Sequence, residues 1–226
     1  LDAHPNIIIA HELDALGLIE ERVSKNPLFM LLCGQSRKFK SKGAEWTGYK
    51  YDVPEQHKGE FTSLRVIGDK DGVSTTSRLR DNPNLLKKLH SIVKIPIHII
   101  HVKRHPLDNI STMARKGFGG DIDSAIQSYF EQCKTVQITR KKCQKKDYVR
   151  WIDVIQEKFV KETKKSLNKL CKFLGVRSDK KYVEDCSKIV FKEPSRSRNK
   201  VGYTSHNIRE IQKRSRKFKS LKKYEI

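Results

Sequence analysis

Short apolar runs rich in β-branched residues constrain this chain most: residues 6–10 (NIIIA), 64–67 (LRVI) and 97–102 (IHIIHV). Each is too short for a helix and is bounded by polar or turn-forming residues, so each reads as a buried strand. Between them the apolar spacing becomes helical. Leu13, Leu16, Ile19 and Val23 share one helix face. Pro27 and the LFMLLC run start another short helix, and residues 79–93 form an amphipathic one ahead of Pro96. Residues 121–141 read as a long helix with Ile122, Ala125, Ile126, Tyr129, Phe130, Cys133 and Val136 on one side. Residues 148–152 form a fourth strand. Residues 159–175 form a helix with Leu167, Leu170, Cys171 and Leu174 inward and Gly175 as its stop. A last helix starts near Asn207, with Glu210 at the capping-box position. Strands alternating with helices imply an α/β fold with a mainly parallel sheet between helical layers.

The chain reads as one domain, residues 1–226, with two distinctive stretches. Residues 36–60 are polar, basic and aromatic, punctuated by Gly43, Gly48, Pro54 and Gly59, and read as an irregular excursion with a short hairpin. There Trp46, Tyr49 and Tyr51 interleave with Lys38, Lys40, Lys42 and Lys50, a mix that stacks on sugars or bases, or packs a loop. Residues 207–226 form a basic C-terminal helix and tail. The tail's KRSRKFKSLKK run is expected to fray or to bind anions.

Forty-eight Lys+Arg against 26 Asp+Glu give a net charge of +22. That balance calls for an anionic partner: a nucleotide, an acidic polysaccharide, nucleic acid or an anionic membrane surface. No apolar run approaches a bilayer's thickness, so no transmembrane segment is expected. The first residues show neither the basic flank nor the cleavage pattern of a signal peptide. The five cysteines, Cys33, Cys133, Cys143, Cys171 and Cys186, are odd in number and form no CxxC pair, which argues against a zinc site or a dense disulfide framework. Cys133 and Cys171 fall in phase with apolar helical positions. Both cytoplasm and an oxidising lumen such as the Golgi remain open.

In a parallel α/β sheet, ligands bind beyond the carboxyl ends of the strands. Here those ends carry His11 and Glu12, then Asp69, Lys70 and Asp71, then Lys103, Arg104 and His105. Acids and cations meeting at one edge suit a phosphorylated cosubstrate with a general base beside it. The third end is the most informative. Arg104 supplies a planar, permanently charged fork, and Pro106 opens a helix whose free N–H groups favour an anion. Ser111 and Thr112 add hydroxyls about two turns on. The plainer reading makes Arg104 a structural cap of the sheet edge, Glu12 the partner of a basic neighbour, and His98 and His101 sheet-face residues.

The segment IPIHIIHVKRHPLDNIST resembles the 3′-phosphate-binding segment of sulfotransferases that use 3′-phosphoadenosine 5′-phosphosulfate (PAPS). That segment is an apolar strand, an Arg, often a Pro, an Asp, and a Ser eight residues after the Arg. Arg104, Pro106 and Asp108 are in register; Thr112 holds the eighth position and Ser111 lies one residue early. VIGDKDG resembles the Lys-bearing turn of tyrosylprotein and glycan sulfotransferases, which carries Lys70 over as the cation near the transferring sulfuryl group, with Gly72 where the family has Pro. NIIIAHELDAL is similar to the strand that delivers a catalytic Glu, here Glu12; His11 is the rival base, because cytosolic members use His. YVRWIDVIQEKFVKETKKSLNKLCKFLGV resembles the family's late strand and the helix closing in Phe-Leu-Gly. SRSRNKVGYTSHNIREI resembles the loop over the nucleotide's 3′ end, with Arg196, Arg198 and Lys200 as ligands.

The resemblance, spanning about residues 6 to 212, implies a P-loop NTPase-like, three-layer α/β sandwich. It also implies transfer of a sulfuryl group from PAPS, without a metal, to a hydroxyl acceptor such as an acidic or neutral glycan. PAPS and its product PAP are then the nucleotide partners. The family's Gly/Ser/Thr-rich 5′-phosphosulfate loop has no counterpart before Asn6, and GDKDGVSTT lacks the Gly-Lys-Ser/Thr ending of a phosphate loop. The loop is therefore expected upstream of Leu1 or lost, and the chain alone is expected to transfer little sulfate. The alternative is a basic nucleic-acid-binding protein without catalytic activity. Charge alone supports it, since no nucleic-acid-binding signature is present and no specific nucleic acid is expected.

Overall fold

A computed structural model describes residues 1–47, 53–57 and 59–226. The chain runs β1 (Ile7–His11), α1 (Ala15–Glu20), α2 (Lys25–Thr47), β2 (Val66–Lys70), α3 (Val73–Asp81), α4 (Leu85–Val93), β3 (Ile97–Lys103), α5 (Pro106–Gly117) and α6 (Ile122–Cys143). It continues through β4 (Val149–Ile155), α7 (Gln156–Lys161), α8 (Thr163–Leu174), α9 (Lys180–Lys188), a 3₁₀ turn (Ser197–Lys200) and α10 (Ser205–Ser215). Among the described residues no helix is long and apolar enough to cross a membrane.

Every described strand pair is parallel, as the alternation of strands and helices requires. β1 pairs with β2 from Ile7↔Val66 to His11↔Lys70. β3 pairs with β4 from Ile97↔Val149 to Lys103↔Ile155. The parallel, helix-connected plan is as the sequence implies. The described strands nevertheless form two two-stranded ladders rather than one central sheet. On β1 a side chain takes up a main-chain donor: the Ile9 N–H donates to Asp2 Oδ1 at 2.7 Å.

Three clusters of buried side chains hold the elements together. Ile7 packs with Leu167, Cys171 and Leu174 of α8 and Tyr182, Val183 and Cys186 of α9. Ile110 and Ala114 of α5 meet Ala125, Ile126, Tyr129 and Phe130 of α6, Ile211 of α10, and Phe218 and Leu221 beyond it. Ala10 packs with Leu16, Ile19, Leu28, Leu32, Leu85 and Val93. All five cysteines are free thiols; Cys171 is fully buried and fills core volume.

Several boundaries differ from the sequence expectation, each for a local reason. The expected excursion is helical as far as Thr47. Its polar residues are tied down, for Ser36 is fully buried and donates to both carboxylate oxygens of Asp2. Tyr49, Lys50, Tyr51 and the Trp46 side chain lie outside the described residues. The helix expected over 79–93 is two helices, because Pro83 forces Asn82 into an extended conformation (φ −133°, ψ 87°). The helix expected over 159–175 begins at Gln156 and is interrupted at Glu162. It does end on Gly175, in the left-handed conformation at φ 71°.

The last helix starts at Ser205 rather than near Asn207. Thr204 is its N-cap, and Asn207 rather than Glu210 completes the capping box. Glu210 instead bonds Arg214 at 2.6 Å. The basic tail does not fray: Phe218 and Leu221 are buried, and its turns are closed by main-chain bonds such as Leu221 N–H to Phe218 O at 2.9 Å.

Candidate functional site

The parallel register sets His11 beside Lys70 at the carboxyl end of the first ladder. The Glu12 N–H donates to the Lys70 carbonyl at 3.0 Å, so the pairing runs one residue past the strand. Asp69 then accepts the N–H groups of Leu13 (3.2 Å) and Ala15 (3.0 Å), which pins the turn after Glu12. Glu12 is held there at φ 54°, a conformation that costs a non-glycine residue free energy and that clusters at functional sites. Its side chain stays 60% exposed and its Oε1 accepts from Lys70 Nζ at 3.0 Å.

His11 lies against the same carboxylate, Nδ1 to Glu12 Oε2 being 3.9 Å. Its ring stacks on Phe39 of α2 at 4.0 Å, and its carbonyl accepts from Gln35. Burial, and after it the Lys70 ammonium, lowers the proton affinity of His11. An exposed carboxylate, a lysine and a neutral imidazole thus meet at one strand edge.

The second ladder ends in a different arrangement. His105 caps α5: its Nδ1 accepts the Leu107 N–H at 3.3 Å, and Pro106 takes the first helical position. Arg104 precedes this cap. Its Nη1 donates to Thr112 Oγ1 at 3.3 Å, and its Nη2 donates to the Ser195 carbonyl and to Ser197 Oγ, both at 2.8 Å. The Arg104 Nε is buried and has no partner among the described residues. A buried donor without an acceptor costs free energy that a bound anion recovers.

The loop carrying residues 195–200 is fastened from the other side. Asp108, 2% exposed, accepts the Arg198 N–H at 2.8 Å and its guanidinium through Nε (3.2 Å) and Nη2 (2.8 Å). Tyr203 donates to the Leu107 carbonyl at 2.7 Å. Its oxygen lies 2.8 Å from Ser111 Oγ, so the Ser111 proton is directed at Tyr203. Ser111 is fully buried.

The sequence-derived residues therefore fall into two groups. His11, Glu12 and Lys70 come together at the first ladder's end. Arg104, Thr112 and the 195–200 loop come together at the second. Within the loop, Arg198 is engaged by Asp108, whereas Arg196 and Lys200 are exposed. Of the two hydroxyls left open by the sequence, Thr112 touches Arg104 and Ser111 does not.

Sequence reasoning missed Ser197, Tyr203 and the clasp made by Asp108. The SRSRNK run drew attention to its arginines, while the serine between them makes the contact with Arg104. His101, read as a sheet-face residue, bonds Asp153 at 3.0 Å. Asp153 also accepts from Lys103 (3.0 Å), Trp151 (3.0 Å) and Arg140 (2.5 Å). Burial opposes ionisation of Asp153, yet these donors hold its carboxyl well below the usual carboxylate range.

No family model matches the chain, and no curated protein sequence matches it. Among solved structures it is similar to one described as "Sulfotransferase Domain from the Curacin Biosynthetic Pathway", at 12% identity and a TM-score of 0.47, over 91% of this chain and 77% of that one.

Proposed function

We propose that this chain is a PAPS-dependent sulfotransferase acting on a hydroxyl acceptor, a glycan being the class its resemblance favours. The observation that carries the reading is the unpartnered Arg104 Nε in a cradle of hydroxyls beside a helix N-terminus. The Thr112 hydroxyl donates to the Asp108 carbonyl at 2.9 Å and His105 takes the Leu107 N–H, so the donors open to an oxyanion are Arg104 Nε and the Ser197 hydroxyl, with the positive end of α5 one residue away. The clasp between Asp108 and Arg198 keeps the 195–200 loop against Arg104. Arg104 and Ser197 would hold the 3′-phosphate, Thr112 would orient the Arg104 guanidinium, and Arg196 and Lys200 would add charge from the exposed side of the loop.

At the other group, Glu12 takes the proton from the acceptor hydroxyl, and Lys70 both orients Glu12 and stabilises charge that develops on the bridging oxygen. His11, turned neutral and stacked on Phe39, positions this pair more than it titrates. PAPS supplies the activated sulfuryl group; the residues named here bind, orient and accept a proton.

Calorimetric titration with PAP and with ATP tests the reading. PAP should bind at least about tenfold more tightly, since one good charge-assisted set of bonds to the 3′-phosphate accounts for that ratio. Equal affinities, or binding to generic duplex DNA with a steep salt dependence, would support the nucleic-acid reading instead.

A further inference from the structure

An open cavity of about 380 Å³ lies past the carboxyl end of β4. That volume is within the range of small-molecule sites, roughly 300–1,000 Å³. Three parts of the chain wall it: Ile155 with Glu157, Lys158, Lys161 and Glu162, the His105 cap of α5, and Lys223 with Tyr224 from the C-terminal segment. The three lysines give it its character. Among the described residues none of Lys158, Lys161 and Lys223 has an ion-pair partner, whereas both glutamates of the rim are held by contacts of their own. Glu157 accepts the His105 N–H at 2.7 Å and lies 3.4 Å from the Tyr224 hydroxyl. Glu162 faces Lys165 at 3.7 Å.

We propose that this cavity is a second anion site, taking a small sulfate- or phosphate-bearing compound between Lys158, Lys161 and Lys223. The lysines come from two separate segments, so like charges are brought together by the fold rather than by sequence proximity. Burial, and after it the Lys103 ammonium, disfavours the charged form of Lys223, while the Glu157 and Asp153 carboxylates favour it. An oxyanion between the lysines adds to the favourable side. The Ile155 side chain and the Tyr224 ring, over which Lys223 Nζ sits at 4.5 Å, offer an apolar wall to the body that carries the anion. The site takes no side chain from Arg104, Thr112 or Ser197, with the His105 cap lying between the two, and it stands whether or not that cradle binds a nucleotide.

Inorganic pyrophosphate is the probe. Lysine acylation read by mass spectrometry, with and without pyrophosphate, should show Lys158, Lys161 and Lys223 protected together while Lys219 and Lys222 react unchanged. By calorimetry the double variant Lys158→Gln/Lys223→Gln should bind pyrophosphate about fivefold more weakly, each solvent-facing charge contributing modestly. Lys219→Gln/Lys222→Gln should stay within about twofold of the parent protein. Protection spread over all surface lysines, or equal losses in the two double variants, would show a diffuse charge effect and overturn the proposal. So would loss of pyrophosphate binding on Arg104→Ala with the pocket variant unaffected, since the anion would then belong to the cradle.

Discussion

Replacing Asp108 by Asn changes one buried carboxylate to its neutral isostere and tests how the 195–200 loop is held. Asp108 is 2% exposed and receives three bonds from Arg198, one from its main-chain N–H and two from its guanidinium. Asn keeps one acceptor oxygen but sets an amide N–H₂ against the guanidinium donors. Breaking a buried pair from one side costs ~3–5 kcal/mol when the stranded charge cannot reach water. The Arg198 side chain is 30% exposed, so it can turn outward and recover part of that. The expected loss is therefore about 2–3 kcal/mol, which for a chain of this size lowers Tm by roughly 4–12 °C. Urea unfolding followed by circular dichroism reads the loss directly. In a double-mutant cycle with Arg198→Ala, most of it should appear as coupling between the two residues. A change below about 0.5 kcal/mol, typical of an unremarkable surface substitution, would refute the clasp and the placement of the loop with it.

Acid should destabilise the protein through its histidines. Burial is the leading cause that lowers His11, His98, His101 and His105 from the ordinary value of 6.5. The unfolded chain then binds these protons more tightly, so their contribution is complete above pH 6.5 and is lost as pH falls through 6.5 toward the lower folded values. A urea midpoint unchanged between pH 7.5 and 5 would contradict this. In a form of the protein supplied with a 5′-phosphosulfate loop, Glu12→Gln should lower kcat for sulfuryl transfer by ~10²–10⁴-fold with PAP affinity unchanged, and His11→Ala should do less. The reverse order would make His11 the base. Gly175→Ala places a Cβ in open space but at φ 71°, so calorimetry should show a purely conformational cost of ~1 kcal/mol.

Strand positions and the Arg104 turn were legible because short β-branched runs and Pro106 leave the backbone few choices. Which residues stand at the strand ends was legible, since each parallel ladder carries its carboxyl ends on one side. Residues 36–47 were not, because their polar surface hides the tertiary bonds, Ser36 to Asp2 among them, that keep them helical. The capping box was misassigned because Glu210 matches the usual acidic pattern, whereas Asn207 does the same work from the third helical position. Ser197, Tyr203 and Asp108 were illegible as a unit: about ninety residues separate Asp108 from Arg198, and only the packing of α5 against the 3₁₀ turn brings them together.

The central claim is that Arg104 and its hydroxyl cradle hold a 3′-phosphate. Calorimetry with PAP and with adenosine 5′-monophosphate, on the parent chain and on Arg104→Ala, tests it most directly. The account predicts that Arg104→Ala weakens PAP binding by ~1.5–3 kcal/mol and leaves the 5′-monophosphate, which has no 3′-phosphate, unchanged. Equal losses for both nucleotides, or no loss for PAP in a folded variant, would contradict it.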